Sequence, residues 1–331
     1  MNSFTYTRAD DVATAVREIT ADGAAKFIAG GTNLIDLMKE NVERPSRLID
    51  INRLPLKEIH SGADGGMRLG SLVKNTDVAY NDEVQRRYPL LSKAILAGAS
   101  PQLRNMATVG GNLMQRTRCC YFYDTATPCN KREPRTACSA IAGFNRAHAI
   151  LGTSGHCIAS HPSDMCVALA ALEAVVRVSG PGGERGIPFS EFHRLPGDTP
   201  HIDTNLQADE IITAADLPVK GFAEHHSYLK VRDRASYAFA LVSVAAALEL
   251  ENETIKEARL ALGCVAHKPW RDRQAETLLN GQRATVENFQ RVAEALLRDA
   301  KGFGHNNFKI HLAKRAIVRA LSQAASGEGK S

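Results

Sequence analysis

Two hydrophobic periods alternate along the chain and break off once in its middle. In residues 10–20, Val12, Val16 and Ile19 fall on one face of a 3.6-residue spiral, behind acidic residues that suit a helix N-terminus. Residues 26–29 read as a short strand running into Gly30-Gly31-Thr32-Asn33, and residues 34–38 as a helix. Further strands are expected at 47–51 and 67–72, and a helix at 90–98 closed by Gly98. A second glycine pair stands at Gly110-Gly111. From Met114 to about His161 the text is rich in Cys, Arg, Thr and Pro and keeps no period. Such a segment reads as an insertion held by something other than an apolar core. Residues 164–178 resume as helix then strand, 179–183 form a hairpin-type turn, and a strand is expected near 210–214. A new unit begins near residue 222. It has strands at 228–231, 239–250 and 255–265, then two amphipathic helices at 285–300 and 307–325.

Composition sets bounds on this picture. The chain has 331 residues, 44% hydrophobic and 23% charged, so two or three globular units are expected. A net charge of +5 is too mild to call for nucleic acid. The longest apolar run, 238–248, is too short for a membrane span and is interrupted by Ser243. The first twenty residues lack a signal-peptide core, so the expectation is a chain with no export address of its own, cytoplasmic by default. Of the seven cysteines, Cys119, Cys120, Cys129, Cys138 and Cys157 fall in the aperiodic segment, where clustered thiols suggest metal or redox chemistry before disulfides.

Both glycine pairs follow an extended segment and open a helical one. Glycine there permits positive φ and lets N–H groups approach an anion, and a helix start favours negative charge, so a pyrophosphate is the natural guest. A plain strand–turn–helix corner would look the same. Neither pair fits a Rossmann or Walker A pattern.

The strings Lys26-Phe27-Ile28-Ala29-Gly30-Gly31-Thr32-Asn33-Leu34, Leu103-Arg104-Asn105-Met106-Ala107-Thr108-Val109-Gly110-Gly111-Asn112 and Ser163-Asp164 resemble the FAD-binding subunit of molybdenum hydroxylases. Tyr228-Leu229-Lys230 and Leu260-Ala261-Leu262-Gly263-Cys264-Val265-Ala266 resemble its C-terminal domain. The resemblance implies an α+β fold of the PCMH-like type. Subdomains 1–56 and 57–222 would clamp FAD, the second would carry an iron–sulfur insertion at 114–161, and a C-terminal α+β domain would span 223–331. It implies that Lys26, Phe27, Ile28, Ala29, Gly30, Gly31, Thr32, Asn33 and Leu34 wrap the pyrophosphate. Thr108, Gly111 and Asn112 would contact phosphates and ribityl chain, Asp164 would accept from flavin hydroxyls, and Lys230 would lie near the ring or phosphates. Bland readings stand beside these: Asp164 as a helix N-cap, Lys230 as an exposed strand lysine.

The insertion resembles that of the aldehyde oxidoreductase type within the family, through Thr117-Arg118-Cys119, Tyr121-Phe122-Tyr123-Asp124, Pro128-Cys129-Asn130-Lys131-Arg132 and His161-Pro162-Ser163-Asp164. The resemblance implies one [4Fe-4S] cluster on Cys119, Cys129, Cys138 and Cys157. Cys120 is set aside as a neighbour of Cys119, and Cys166 as a buried helix thiol. Arg116, Arg118, Lys131, Arg132, Arg135 and Arg146 outnumber Asp124 and Glu133 here, as an anionic cluster would favour. Zinc on three cysteines with His148, His156 or His161 is an alternative, as are disulfides. The implied function is electron transfer within a heterotrimer that oxidises an aldehyde. A large molybdopterin subunit and a small subunit with two [2Fe-2S] clusters would feed this FAD, which would reduce an external acceptor. Export with a signal-bearing partner would then be an alternative to the cytoplasm. The rival functions are a stand-alone FAD oxidase and a non-enzymatic metal-binding scaffold. No acid–base residue is assigned, and the histidines read as structural.

Overall fold

A computed structural model describes residues 1–62 and 64–327. Three sheets organise the chain. The first joins β1 (Thr5–Arg8), β2 (Ala25–Ile28) and β3 (Arg47–Asp50) in the order β1-β3-β2, both pairs parallel. Parallel strands need crossovers: the helix Val12–Ala21 carries the chain from β1 to β2 across the sheet, and the helix Leu34–Lys39 carries it from β2 to its neighbour β3. Asp11 caps that helix, accepting from Thr14 N at 2.7 Å. Ala15, Val16 and Ile19 are its buried face, packed with Ile49, Leu54 and, from the next unit, Leu72 and Ile211.

The second sheet is antiparallel: β4 (Ile59–Ser61), β5 (Met67–Gly70), β6 (Val175–Gly180), β7 (Gly183–Pro188) and β8 (Ile211–Leu217), in the order β4-β5-β8-β6-β7. Its apolar face is covered by helices that include Pro89–Ala97 and Asp164–Ala171. The third sheet, also antiparallel, has β9 (His225–Val231), β10 (Val242–Glu251) and β11 (Thr254–Gly263) in the order β11-β10-β9. Val242, Val244, Ala246 and Leu248 face the helices Val286–Leu296 and Phe308–Ser326. Ala245 and Ala247 face the other way, into the second unit's core. This two-sided burial explains the nearly unbroken apolar text of β10: alternation is lost when both faces are covered.

Several expectations are corrected. The strand expected at 239–250 begins only at Val242, and Phe239 is half exposed in the preceding loop. The strand expected at 210–214 continues to Leu217, because it pairs with β5 on one side and β6 on the other. β1 and β4 were not anticipated, being short and mostly exposed, nor were the helices Asn75–Tyr80 and Asp82–Arg87. The aperiodic segment is anchored by apolar side chains after all. Phe122 is fully buried against Leu37 and Cys129, while Ile150 and Leu151 enter the C-terminal core. Polar anchors add to these. Lys309, completely buried, donates to the carbonyls of His148 (2.8 Å) and Cys264 (2.7 Å), and Asn306 Nδ2 donates to the Ala149 carbonyl at 3.0 Å.

Candidate functional site

The two glycine corners touch. A Cβ placed on Gly30 would lie 2.0 Å from the carbonyl oxygen of Met106, so the first corner lies directly against the segment leading into the second. Gly31 has φ +71°, a conformation glycine adopts without penalty. The first intrahelical bond runs from Ile35 N to the Gly31 carbonyl (3.0 Å), and the N–H groups of Gly31 to Leu34 precede it. Asn33 accepts from Arg116 N through Oδ1 at 2.9 Å, while its buried Nδ2 has no hydrogen-bond partner. An orphaned amide donor beside unclaimed N–H groups is the donor set an anionic guest requires.

The second corner is built differently. Thr108 caps the short helix Val109–Leu113, accepting from Gly111 N at 3.1 Å, and Gly110 N donates to the Ser71 carbonyl at 2.7 Å. Its N–H groups are therefore used internally. It can offer only side chains and the close approach that Gly111 allows. Asn112 Oδ1 accepts from Ser163 Oγ (2.5 Å) and from Gln115 Nε2 (2.7 Å).

Two cavities open from the corners and share Thr32, Asn33 and Gly111 as lining. One, of about 390 Å³, runs between the first two sheets along residues 25–34, Leu72, Thr108 and Ile211. The other, of about 540 Å³, is lined by Asn112, Arg118, Asp164, Lys230, Tyr237 and Phe239 among others. A groove with a donor-rich waist and a chamber on each side fits an extended dinucleotide with its pyrophosphate at the corners. Lys26 to Leu34, Thr108 and Gly111 line the first chamber; Asn112, Asp164 and Lys230 line the second.

Asp164 is the first residue of its helix, and the N-cap is Ser163, which accepts from Cys166 N at 3.0 Å. The N-cap reading of Asp164 is thus corrected by one position. Its oxygens accept from Tyr228 OH (2.6 Å) and Lys230 Nζ (2.7 Å), and Lys230 also donates to the Ala97 carbonyl at 3.0 Å. Both charged side chains are buried, 9% and 5% exposed, so Lys230 is no exposed strand lysine. Burial and the Asp164 carboxylate push the Tyr228 hydroxyl well above its ordinary pKa, keeping it a donor. Tyr228 was missed as part of this site. Its signal was the two-residue spacing to Lys230, which puts both on one strand face.

All seven cysteines carry free thiols. Cys129 and Cys138 form an isolated antiparallel bridge. Cys138 and Cys157 lie close enough for their thiols to interact, which holds Cys138 below its ordinary pKa. Burial pushes Cys119 up to about 12, with the nearby Cys129 and Cys120 adding to the rise. Cys119, Cys129, Cys138 and Cys157 are therefore neighbours in space. Cys120 is exposed and Cys166 lies fully buried on another helix. A single ion with 2.3 Å bonds holds its thiolates within about 4.6 Å of one another. No three cysteines among the described residues meet as closely as that, whereas a four-iron cluster takes one thiolate per iron and spans wider. His148 Nε2 stands 3.1 Å from Cys119 Sγ.

The local excess of positive charge is largely spoken for. Arg116 pairs with Glu43 (2.6 Å) and Asp203 (2.9 Å), Lys131 with Asp203, and Arg118 with Asp36 (3.0 Å). Arg132 donates to the carbonyls of Tyr121 and Phe122, both at 2.9 Å, folding the insertion around itself.

Taken with its three sheets, this groove defines a flavoprotein subunit. Residues 2–220 match the family of the FAD binding domain in molybdopterin dehydrogenase, and residues 227–324 the CO dehydrogenase flavoprotein C-terminal domain. The chain belongs to this family: it is the FAD-binding, electron-transfer subunit of a molybdenum hydroxylase and an oxidoreductase subunit of the aldehyde oxidoreductase/xanthine dehydrogenase type. It is 50% identical over 325 residues to the aldehyde oxidoreductase FAD-binding subunit PaoB of Escherichia coli (strain K12), covering 98% of this chain and 99% of that one. The carbon monoxide dehydrogenase medium chain of Hydrogenophaga pseudoflava is 26% identical over 307 residues, covering 91% and 89%. The structure of carbon monoxide dehydrogenase from the same organism, lacking the Mo-pyranopterin moiety, superposes with a TM-score of 0.76 at 26% identity over 98% of both chains. Among the described residues no helix is long and apolar enough to cross a membrane.

Proposed function

We propose that this chain carries one [4Fe-4S] cluster beside its FAD and relays electrons between them in a heterotrimeric aldehyde oxidoreductase. One observation supports the relay above others: Arg118 lines the second chamber, and the next residue, Cys119, belongs to the cysteine group. A cluster on Cys119, Cys129, Cys138 and Cys157 would thus lie one residue from the flavin groove. Similarity to the FAD-binding subunit of an aldehyde oxidoreductase supports an aldehyde as the substrate of the assembly. In this reading a molybdopterin subunit oxidises it, and a small subunit with two [2Fe-2S] clusters delivers the electrons. An external acceptor drains them.

Bound in the groove, FAD supplies exchange between two-electron and one-electron carriers. The chain's own residues bind and orient it. Gly31 to Leu34 and Asn33 Nδ2 hold the pyrophosphate. Thr108, Gly111 and Asn112 form the opposite wall, and the Asp164–Lys230 pair with Tyr228 fixes a polar floor in the second chamber. A division at residues 56 and 222 belongs to the same proposal and is supported by the three separate sheets.

The test is iron and acid-labile sulfide per heterotrimer in anaerobically purified complex, with single Cys→Ser variants. Replacing Cys119, Cys129, Cys138 or Cys157 should lower the sulfide of the complex from about eight to about four per heterotrimer, the remainder belonging to the partner's two [2Fe-2S] clusters, and Cys120→Ser should leave it at about eight. Wild-type complex with only about four sulfides would overturn the cluster.

A further inference from the structure

Apart from the cysteines assigned to the cluster, one group of potential metal ligands among the described residues is left unexplained by flavin or cluster. His161, Cys166 and His193 bring one ligand atom each within 4.8 Å of one another. All three are buried, at 8%, 0% and 3% exposure. His161 leaves Nε2, and His193 leaves Nδ1, without a hydrogen-bond partner. Buried ring nitrogens are normally satisfied, and two orphans side by side with a thiol call for a reason. The rings are edge to face with centroids 4.4 Å apart. His193 Nε2 lies 2.9 Å from the Leu113 carbonyl, which sets the tautomer with Nε2–H donating and turns a lone pair onto Nδ1. That outer hydrogen bond is the arrangement metal-bound imidazoles make.

We propose that His161, Cys166 and His193 form a buried site for one thiophilic closed-shell cation, zinc(II) or copper(I). Two imidazoles and one thiolate suit both ions. His161 Nδ1 accepts from Ser163 N at 3.4 Å, so the ring proton sits on Nε2 and must move to Nδ1, giving up that contact, for Nε2 to bind; the thiol proton leaves, one for each cation that enters, and the thiolate cancels one positive charge. A cavity of about 560 Å³, lined by both histidines, gives entry and room for a fourth ligand. It is also lined by Lys131 and Asp203, whose ion pair balances the neighbouring charge.

The site joins three separate parts of the chain. His161 ends the insertion, and its N–H donates to the Ala266 carbonyl at 2.9 Å. Cys166 belongs to the helix that begins at Asp164, and His193 follows the short helix Phe189–Phe192. A cation here would fasten the insertion's exit to the wall of the flavin chamber. The inference is independent of the cluster: its ligands are different residues.

The experiment loads the purified, flavin-containing complex separately with zinc(II) and, anaerobically, with copper(I), removes loose metal and measures metal per chain. X-ray absorption at the zinc or copper edge then reads the shell. One of the two ions should be retained at about one equivalent, with one sulfur and two nitrogens in its shell. Retention should fall about tenfold or more in Cys166→Ser and in His193→Gln, with flavin, iron and sulfide contents unchanged. If neither ion is retained, or if the shell of the unmodified protein contains no sulfur, the proposal fails. Retention unchanged in Cys166→Ser would overturn it as well. Because the absorption measurement uses unmodified protein, a variant that folds poorly does not shield the proposal.

Discussion

The buried pair of Asp164 and Lys230 offers a quantitative test of the second chamber. Lys230→Met keeps most of the stem's volume and deletes the ammonium. Asp164 would then hold its charge at 9% exposure with the Tyr228 hydroxyl as its remaining partner, at 2.6 Å. Stranding a buried charge in this way costs about 3–5 kcal/mol, a large share of the 5–15 kcal/mol that holds a domain folded. Asp164→Leu does the reverse, leaving the ammonium on the Ala97 carbonyl at 3.0 Å. The double variant removes both charges and should cost far less than the sum of the singles, with a coupling of about 2–3 kcal/mol. Urea unfolding at neutral pH without added flavin reads this directly, since ligand linkage is then absent. Single costs below about 1 kcal/mol that also add within 0.5 kcal/mol would refute the claim that the two charges support each other.

Gly30→Ala drives a Cβ toward the Met106 carbonyl, whose backbone cannot swing aside, so overpacking of about 1–3 kcal/mol should weaken FAD binding by roughly 5- to 100-fold in a fluorescence titration. Gly182→Ala, with nothing within 4 Å, should bind normally. Asn33→Leu deletes the unpartnered Nδ2 donor and should cost about 1–2 kcal/mol of FAD affinity by the same titration. Burial lowers His226 from its ordinary pKa of 6.5 to about 4, so it folds neutral. Between those values the unfolded chain binds the extra proton. Stability should therefore be full above pH 6.5 and fall as pH drops toward 4, by at most about 3 kcal/mol for this group. His226→Leu should make that limb shallower by this group's share in urea midpoints taken across the range, since His148 and His193, also lowered to about 4, still contribute.

The pattern of residues was enough for the elements whose packing is local. The amphipathic faces of Val12–Ala21, Val286–Leu296 and Phe308–Ser326 stand in the text because one side of each helix meets water. The glycine corners were legible because only glycine fits where φ is positive, as at Gly31, or where another backbone lies at 2.0 Å, as at Gly30. Tertiary structure alone decided the rest. It exhausted the N–H groups of the second corner by pairing Gly110 with Ser71 and Gly111 with Thr108. It turned Lys230 from a surface residue into half of a buried pair, a matter of which helix β9 lies against. It also set His161 and His193, distant in the chain, edge to face around a thiol. Spacing along a chain reports the period of its own helix or strand, whereas partners across sheets depend on how separate elements dock, and no local period carries that information.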